Sequence, residues 1–203
     1  SNERLRTWIL LLSATGLRPQ EARQLRWRNI RQFRKEGSDF PFFTMIEVPA
    51  EIAKAKYKGR RTAREVFSFD GDLTYRRLVE RWKPYCPTPE PDGFLFPSAR
   101  DHNKPQCMVA PFKRLLQSMR GGPMLTDEEG LPLSSYSLRH FYITQRIKSG
   151  VPLSVIAKNC GHMVSTLEQT YNRLLARDMV DVLVRTNFQQ HRTALQSEDT
   201  EDI

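Results

Sequence analysis

Gly161-His162-Met163-Val164-Ser165-Thr166-Leu167-Glu168-Gln169-Thr170-Tyr171 is the stretch on which the reading of this chain turns. A Gly-His pair is followed by a tyrosine nine residues after the histidine. Ser165 is a good N-cap, so a helix carrying Tyr171 is expected after it. Two more stretches lie upstream: Thr15-Gly16-Leu17-Arg18-Pro19-Gln20-Glu21 and Tyr136-Ser137-Leu138-Arg139-His140. Each is weak evidence alone. Their fixed order along one chain is what carries information.

Composition sets the frame. With 203 residues the chain suffices for one well-packed domain and is short for two. Lysine and arginine outnumber the carboxylates 32 to 23, a net charge of +9. A surplus of this size favours a polyanionic partner, nucleic acid before a membrane surface. Three cysteines, Cys86, Cys107 and Cys160, are an odd number at no metal spacing. They argue against a disulfide scaffold or a zinc site, suit a reducing cytosol and read as small packing residues. No apolar run approaches the ~18 residues of a membrane span, and no secretory signal opens the chain. No metal-ligand cluster is recognisable.

Working outward, residues 3–15 read as an apolar helix stopped by Gly16. Arg18 precedes Pro19 and is therefore pushed out of the α region. Pro19 fits the first turn of a second helix running to about Trp27. Glu21 sits where its carboxylate favours the helix start and can reach Arg18, so Arg18 is expected at a rigid helix–helix corner. Phe42–Val48 and Glu65–Phe69 are rich in aromatic and β-branched residues and predict an antiparallel hairpin, with a third short strand near Gln32–Phe33. A basic run lies between the two strands: Lys54, Lys56, Lys58, Arg60, Arg61 and Arg64.

Leu73–Trp82 predicts a helix, followed by a proline-rich loop no helix can cross (Pro84, Pro87, Pro89, Pro91) and a short buried segment at Phe94-Leu95-Phe96. Gln106–Arg120 predicts a helix that Pro111 either kinks or delays. Ser134 or Ser135 is the expected N-cap of a helix from Tyr136 to Lys148, stopped by Gly150. Pro152–Asn159 predicts another short helix, and Leu174–Phe188 a last amphipathic one. The polar, acidic end is expected to be disordered. The fold class expected is mainly α with a small antiparallel β-sheet (α+β).

Together the three motifs resemble the catalytic domain of the tyrosine recombinase (phage integrase) family. The resemblance covers roughly residues 5 to 175. Thr15-Gly16-Leu17-Arg18 with Glu21 matches the family's Thr-Gly-Leu-Arg-x-x-Glu in full. The Leu138-Arg139-His140 core matches His-x-Leu-Arg-His, with Tyr136 standing where the first His is usual. In the last motif Cys160 replaces a Leu and Leu167 replaces a Thr, but the spacing from His162 to Tyr171 is intact.

The resemblance implies cleavage and rejoining of DNA strands through a 3′-phosphotyrosyl bond. Such a transfer needs a nucleophile, cations for the charged transition state and an acid for the leaving 5′ oxygen. Free tyrosine has a pKa of about 10 and attacks well only in a strongly cationic pocket. Arginine suits the non-bridging oxygens, because its planar fork binds phosphate bidentately. By analogy Tyr171 is the nucleophile, and Arg18, Arg139 and His162 clamp the phosphate. A hairpin lysine, Lys54 with Lys56 as the alternative, protonates the leaving oxygen. Glu21 and Tyr136 support the site; Tyr136 can hydrogen-bond but cannot exchange a proton near pH 7 as a histidine does. Lys58, Arg60 and Arg61 are expected on the DNA backbone. His140 is expected to be structural, on a different helix face from the arginine, packing or bonding to backbone.

No cofactor or metal is implied. The expected partner is double-stranded DNA, bound by a homotetramer, with no membrane involved. The location expected is the cytoplasm of a bacterium, on the nucleoid, with the gene in a bacterial or phage genome. Residues 3–190 are expected to form the catalytic domain and 191–203 a polar tail, with a DNA-binding domain upstream. Two rivals share the pattern: a type IB topoisomerase-like enzyme that relaxes one duplex, and a DNA-binding descendant without catalysis.

Overall fold

The computed structural model describes residues 2–38, 41–54, 56–57, 60–119, 123–127 and 130–178. Helix α1, Asn2–Thr15, buries Trp8, Leu11, Leu12 and Ala14. It ends at Gly16, whose φ of +66° is a left-handed conformation that a Cβ disfavours. A Cβ at Gly16 would also lie 2.4 Å from the Tyr142 ring, so the glycine serves space as well as torsion. Arg18 is extended, at φ −69° and ψ 139°, and Pro19 opens α2, Pro19–Gln24.

The expected run of α2 to Trp27 does not occur. Leu25 is extended and fully buried, and its carbonyl accepts the Leu95 N–H at 2.8 Å. Burying a leucine contributes about 1.5–3 kcal/mol, more than the few tenths that one further helical residue would add. A 3-10 turn, Trp27–Asn29, follows instead.

Strands β1 (Ile30–Arg34), β2 (Phe42–Val48) and β5 (Arg64–Phe67) form an antiparallel sheet in the order β1-β2-β5. The third strand is thus real and longer than Gln32–Phe33. Ile46 faces Ile30 on one side and Val66 on the other. Thr44, Ile46 and Val48 point inward and are fully enclosed, the period of two expected for a half-buried sheet. Two short strands, β3 (Lys56–Tyr57) and β4 (Arg60–Arg61), pair within the basic run.

Helix α3, Leu73–Arg76, widens into a π-type turn over Arg77–Trp82 and tightens into a 3-10 turn at Lys83–Tyr85. The expected helix is therefore present but irregular. It ends with Trp82 buried, its indole N–H donating to the Leu95 carbonyl at 2.7 Å. Leu95 and Phe96 are sealed as expected. Helix α4, Val109–Gln117, starts late enough that Pro111 lies in its first turn and costs no hydrogen bond.

Helix α5 is Ser137–Lys148, α6 is Leu153–Cys160 and α7 is Val164–Asp178. Neither Ser134 nor Ser135 caps α5; Tyr136 holds the cap position in helical conformation, and the Ser134 N–H donates to Ser137 Oγ at 3.1 Å. Ser165 lies inside the first turn of α7 instead of capping it. No new helix begins at Leu174, because α7 runs through it. The rest of the expected last helix, the tail from residue 191 and Lys58 lie outside the described residues.

The apolar residues form two clusters. One joins α1, α2, the sheet, α4 and the Trp82–Phe96 region; the other joins α5, α6 and α7 through Tyr142, Ile143, Ile147, Ile156, Ala157, Cys160, Leu167 and Tyr171. Cys86 is buried in the first and Cys160 in the second, while Cys107 is exposed, so only two of the three cysteines are packing residues. Among the described residues, no helix is long and apolar enough to cross a membrane, and no group of His, Cys, Asp or Glu could hold a metal ion.

Candidate active site

The C-terminus of α6 is where the two clusters meet, and three arginines converge on its last carbonyls. Arg18 Nη2 donates to the Gly161 carbonyl at 2.7 Å, and Nη1 reaches the Cys160 carbonyl at 3.5 Å. Arg139 Nη2 donates to the Cys160 carbonyl at 2.7 Å, while its Nη1 donates to the Gly16 carbonyl. Arg64 Nε approaches the Asn159 carbonyl at 3.5 Å. Free carbonyls and the negative end of the helix dipole make a helix C-terminus a natural place for cations. Arg139 is 0% exposed, and its Nε has no hydrogen-bond partner among the described residues.

Three guanidiniums this close repel one another unless a carboxylate intervenes, and Glu21 supplies it. Glu21 is 0% exposed. Arg64 grips it bidentately, Nη2–Oε2 at 2.6 Å and Nη1–Oε1 at 3.1 Å. Arg18 Nη1 reaches Oε1 at 3.0 Å, and the Arg18 N–H donates to Oε2 at 3.3 Å. Burial alone would raise the Glu21 pKa, but the Arg64 hydrogen bonds and charge, then Arg18 and the Lys54 N–H, hold it below the ordinary carboxylate value. Glu21 is therefore an anion inside the protein.

Lys54 has an exposed side chain. Its backbone N–H donates to Glu21 Oε1 at 3.2 Å, so the carboxylate that steadies Arg18 also anchors the start of the basic run. Lys56 lies in β3, and Arg60 and Arg61 lie in β4.

Gly161 takes φ +65°, and the His162 N–H then closes onto the Ala157 carbonyl at 2.8 Å, the bond pattern of a Schellman cap. A Cβ at Gly161 would lie 2.9 Å from Arg64 Nε, so glycine lets Arg64 pass. His162 is half-buried. Burial first, and then the charges of Arg139, Arg18, His140 and Arg64, push its pKa down to about 4. It is neutral at pH 7.

Tyr171 packs in the second cluster at 5% exposed, one turn beyond Leu167. Its hydroxyl lies 2.6 Å from His140 Nδ1. His140 does pack, against the Tyr136 and Tyr171 rings, but its hydrogen bond goes to the tyrosine hydroxyl and not to backbone. The physical reason is helical spacing. His140 follows Tyr136 by four residues and shares its face of α5; the two rings make an edge contact at 5.2 Å. Tyr136 itself is 39% exposed. Burial raises the Tyr171 pKa and the Arg139 charge does not compensate, so a cationic surrounding does not by itself ionise this phenol. Burial, then Arg139, lowers the pKa of His140.

Arg64 and Asn159 escaped the sequence reading. Asn159 Oδ1 accepts the Phe67 N–H at 2.8 Å, and its Nδ2 lies within hydrogen-bonding distance of the Thr15 and Phe67 carbonyls and the Tyr142 hydroxyl. It ties β5, α1 and α5 to α6. A lone amide in the last turn of an apolar helix, two residues before a glycine, is the available signal. Beyond this seam a cleft of about 810 Å³ opens between the sheet and α5–α6, and its lining includes Arg64 and Asn159 but not Arg18, Arg139, His162 or Tyr171.

The family model of the phage integrases matches residues 1–177. This chain belongs to the phage integrase family. Solved structures of similar fold include the XerH site-specific recombinase bound to difH substrate in a pre-cleavage complex. It has a TM-score of 0.56 at 18% identity, covering 82% of this chain and 42% of that one. The Tn1549 transposon integrase in complex with transposon right end DNA has a TM-score of 0.56 at 18% identity, covering 88% and 58%. The XerA recombinase has a TM-score of 0.54 at 18% identity, covering 94% and 57%. The chain thus spans about half the length of these solved relatives. No curated protein matches its sequence. Within the family's three motifs, Arg18, Arg139 and His162 surround one helix end, and Tyr171 lies close enough to Arg139 to feel its charge.

Proposed function

We propose that residues 3–190 are the catalytic domain of a site-specific recombinase that cleaves and rejoins DNA strands through a 3′-phosphotyrosyl intermediate. The observation that carries this reading is the convergence of Arg18, Arg139 and His162 on the C-terminus of α6 beside Tyr171. Pure DNA binding needs no such arrangement, since exposed lysines and arginines already supply phosphate affinity.

In this reading the scissile phosphate sits beside Arg18 and Arg139, whose charges stabilise its non-bridging oxygens, and His162 adds a donor. Tyr171 Oη attacks phosphorus, an O–P bond forms, and the bond to the 5′ oxygen breaks. Lys54, with Lys56 as the alternative, gives that oxygen a proton. The bond energy stays in the phosphotyrosine, so a 5′-hydroxyl from a second strand can reverse the step without a nucleotide cofactor. Lys58, Arg60 and Arg61 hold the DNA backbone. Double-stranded DNA is the substrate in this reading; the XerH recombinase is solved bound to difH substrate and the Tn1549 integrase in complex with transposon right end DNA. The working form is a homotetramer on DNA in the bacterial cytoplasm, with 191–203 as a polar tail.

A covalent trap tests this reading. The protein is incubated with a pool of duplexes of randomised sequence, each nicked so that the freed 5′-hydroxyl fragment diffuses away. A denaturation-resistant adduct that forms with wild type and not with Tyr171→Phe is the expected result. Binding to the pool with no adduct overturns it. Joining of the recovered adducts to a second duplex separates a recombinase from a relaxing topoisomerase.

A further inference from the structure

We propose that His140 is a catalytic residue: its Nδ1 accepts the phenolic proton of Tyr171 as the tyrosine attacks phosphorus. The inference rests on the recombinase reading and adds to it a role for a residue that the motifs leave as scaffold.

The geometry is direct. Nδ1 lies 2.6 Å from the Tyr171 hydroxyl, the one side-chain hydrogen bond of Tyr171 among the described residues. A general base must lie within about 2.6–3.2 Å of the proton it takes. The other ionisable groups around the phenol cannot serve. Arg139 is a cation without an acceptor. Cys160 is a buried thiol whose pKa burial raises. Tyr136 is another phenol, standing where the family motif has a histidine, and exposed at the surface. His140 lies one helical turn beyond that position, on the same face of α5 and against the Tyr136 ring. With tyrosine at the first motif position, His140 is the imidazole that this face of α5 carries.

The protonation states agree. Burial and then Arg139 favour the neutral form of His140, which leaves a lone pair free on Nδ1 in the tautomer protonated at Nε2. The charged and titratable groups facing this imidazole are Arg139 and Tyr136 on its own helix, Tyr171 on α7 and His162 on the turn before α7. Burial makes the Tyr171 phenol a weak acid, so the proton must leave during the attack and not before it.

The step balances. The O–H bond of Tyr171 breaks and its proton goes to Nδ1. The Oη–P bond forms while the bond from phosphorus to the 5′ oxygen breaks, and that oxygen takes a proton from the hairpin lysine. On rejoining, His140 returns its proton to Tyr171.

The test uses the whole chain and duplexes recovered from the covalent trap. His140→Gln keeps a hydrogen-bond acceptor near the phenol but cannot take a proton. Its adduct should form about 100-fold more slowly near neutral pH. Replacing Tyr171 in that variant by a fluorinated tyrosine, a stronger acid, should recover at least about tenfold of the rate, because a more acidic phenol depends less on a base. A merely structural role predicts the same loss with either phenol, and that result would overturn the proposal, as would a wild-type rate in His140→Gln. A second measurement needs no DNA. A two-bond proton–nitrogen correlation spectrum of wild type, assigned by the signal that His140→Gln removes, reports the tautomer. A bare Nδ1 supports proton acceptance; a protonated Nδ1 overturns it. If wild type forms no adduct, the recombinase reading fails by itself, and the tautomer still decides whether His140 accepts from Tyr171.

Discussion

At the α2 end of the site, Glu21 is enclosed and touched by two guanidiniums and two backbone N–H groups. At the α7 end, Tyr171 lies in the mainly apolar α5–α7 cluster with one side-chain hydrogen bond among the described residues, to His140. The first end is charged and cross-braced before any ligand arrives. The second is held neutral. Electrostatic stabilisation works best when its dipoles need no rearrangement, and the paired arginines meet that condition. A nucleophile has the opposite need: a phenolate formed early would be captured by the arginines as a standing ion pair. Burial keeps Tyr171 protonated until a phosphate is in place.

Experiments can break or sharpen this contrast. The largest effect belongs to the tyrosine end: Tyr171→Phe should eliminate the covalent adduct at every pH, with DNA binding retained and only ~1 kcal/mol of stability lost with the hydroxyl. A variant that still forms adduct would move the nucleophile elsewhere. The arginine end should answer in stability. Glu21→Ala leaves Arg64 and Arg18 without their carboxylate and should cost about 3–5 kcal/mol in urea unfolding. A loss under 1 kcal/mol would mean that the brace is not what holds the corner.

Gly161→Ala tests the junction between the two ends. A left-handed φ costs a non-glycine residue about 1–2 kcal/mol, and the new Cβ would press on Arg64. Unfolding should shift by at least that amount, and adduct formation should slow as Arg64 and His162 move. An unchanged protein would show that the turn relaxes freely.

The smallest effect concerns protons. His162 titrates at about 4 in the free protein, through burial first and then the neighbouring arginines. Its folded pKa is depressed, so the unfolded chain binds the extra proton first. This contribution to stability is complete above about 6.5 and is lost as pH falls toward about 4. Glu21, also depressed, loses its contribution at lower pH still, below about 4.5. A bound phosphate offsets the arginine charge and raises the His162 pKa toward normal. DNA binding should therefore take up protons and tighten as pH falls from 7, measured by calorimetry in buffers of different ionisation enthalpy. His162→Gln should lose that dependence.

Local rules read much of this from sequence, because the corner at Gly16–Pro19 and the stop at Gly150 each follow from one or two residues and the strand Phe42–Val48 from one short run. Leu25 shows where such rules lose: its burial, with a hydrogen bond to Leu95 far along the chain, ends α2 early. The arginines, His162 and Tyr171 were legible as motifs, whereas Arg64, Asn159 and His140 were not. Arg64 looked like one more cation in a solvated run, and its inward turn toward Glu21 depends on the sheet register that brings β5 to α6. The surroundings of His140 follow from Tyr136, four residues away on the same face, and not from its sequence neighbour Arg139.

The division of the cysteines between the two apolar clusters has a practical use. Cys107 is open to solvent, Cys86 is buried in the α1–sheet half and Cys160 in the α5–α7 half. A thiol reagent should label Cys107 at once and the other two only when their own half opens. Mass spectrometry of a timed labelling series would thus give a separate opening rate for each half from the natural sequence. With bound DNA bridging the Arg18 and Arg139 sides of the seam, the two clocks should slow together.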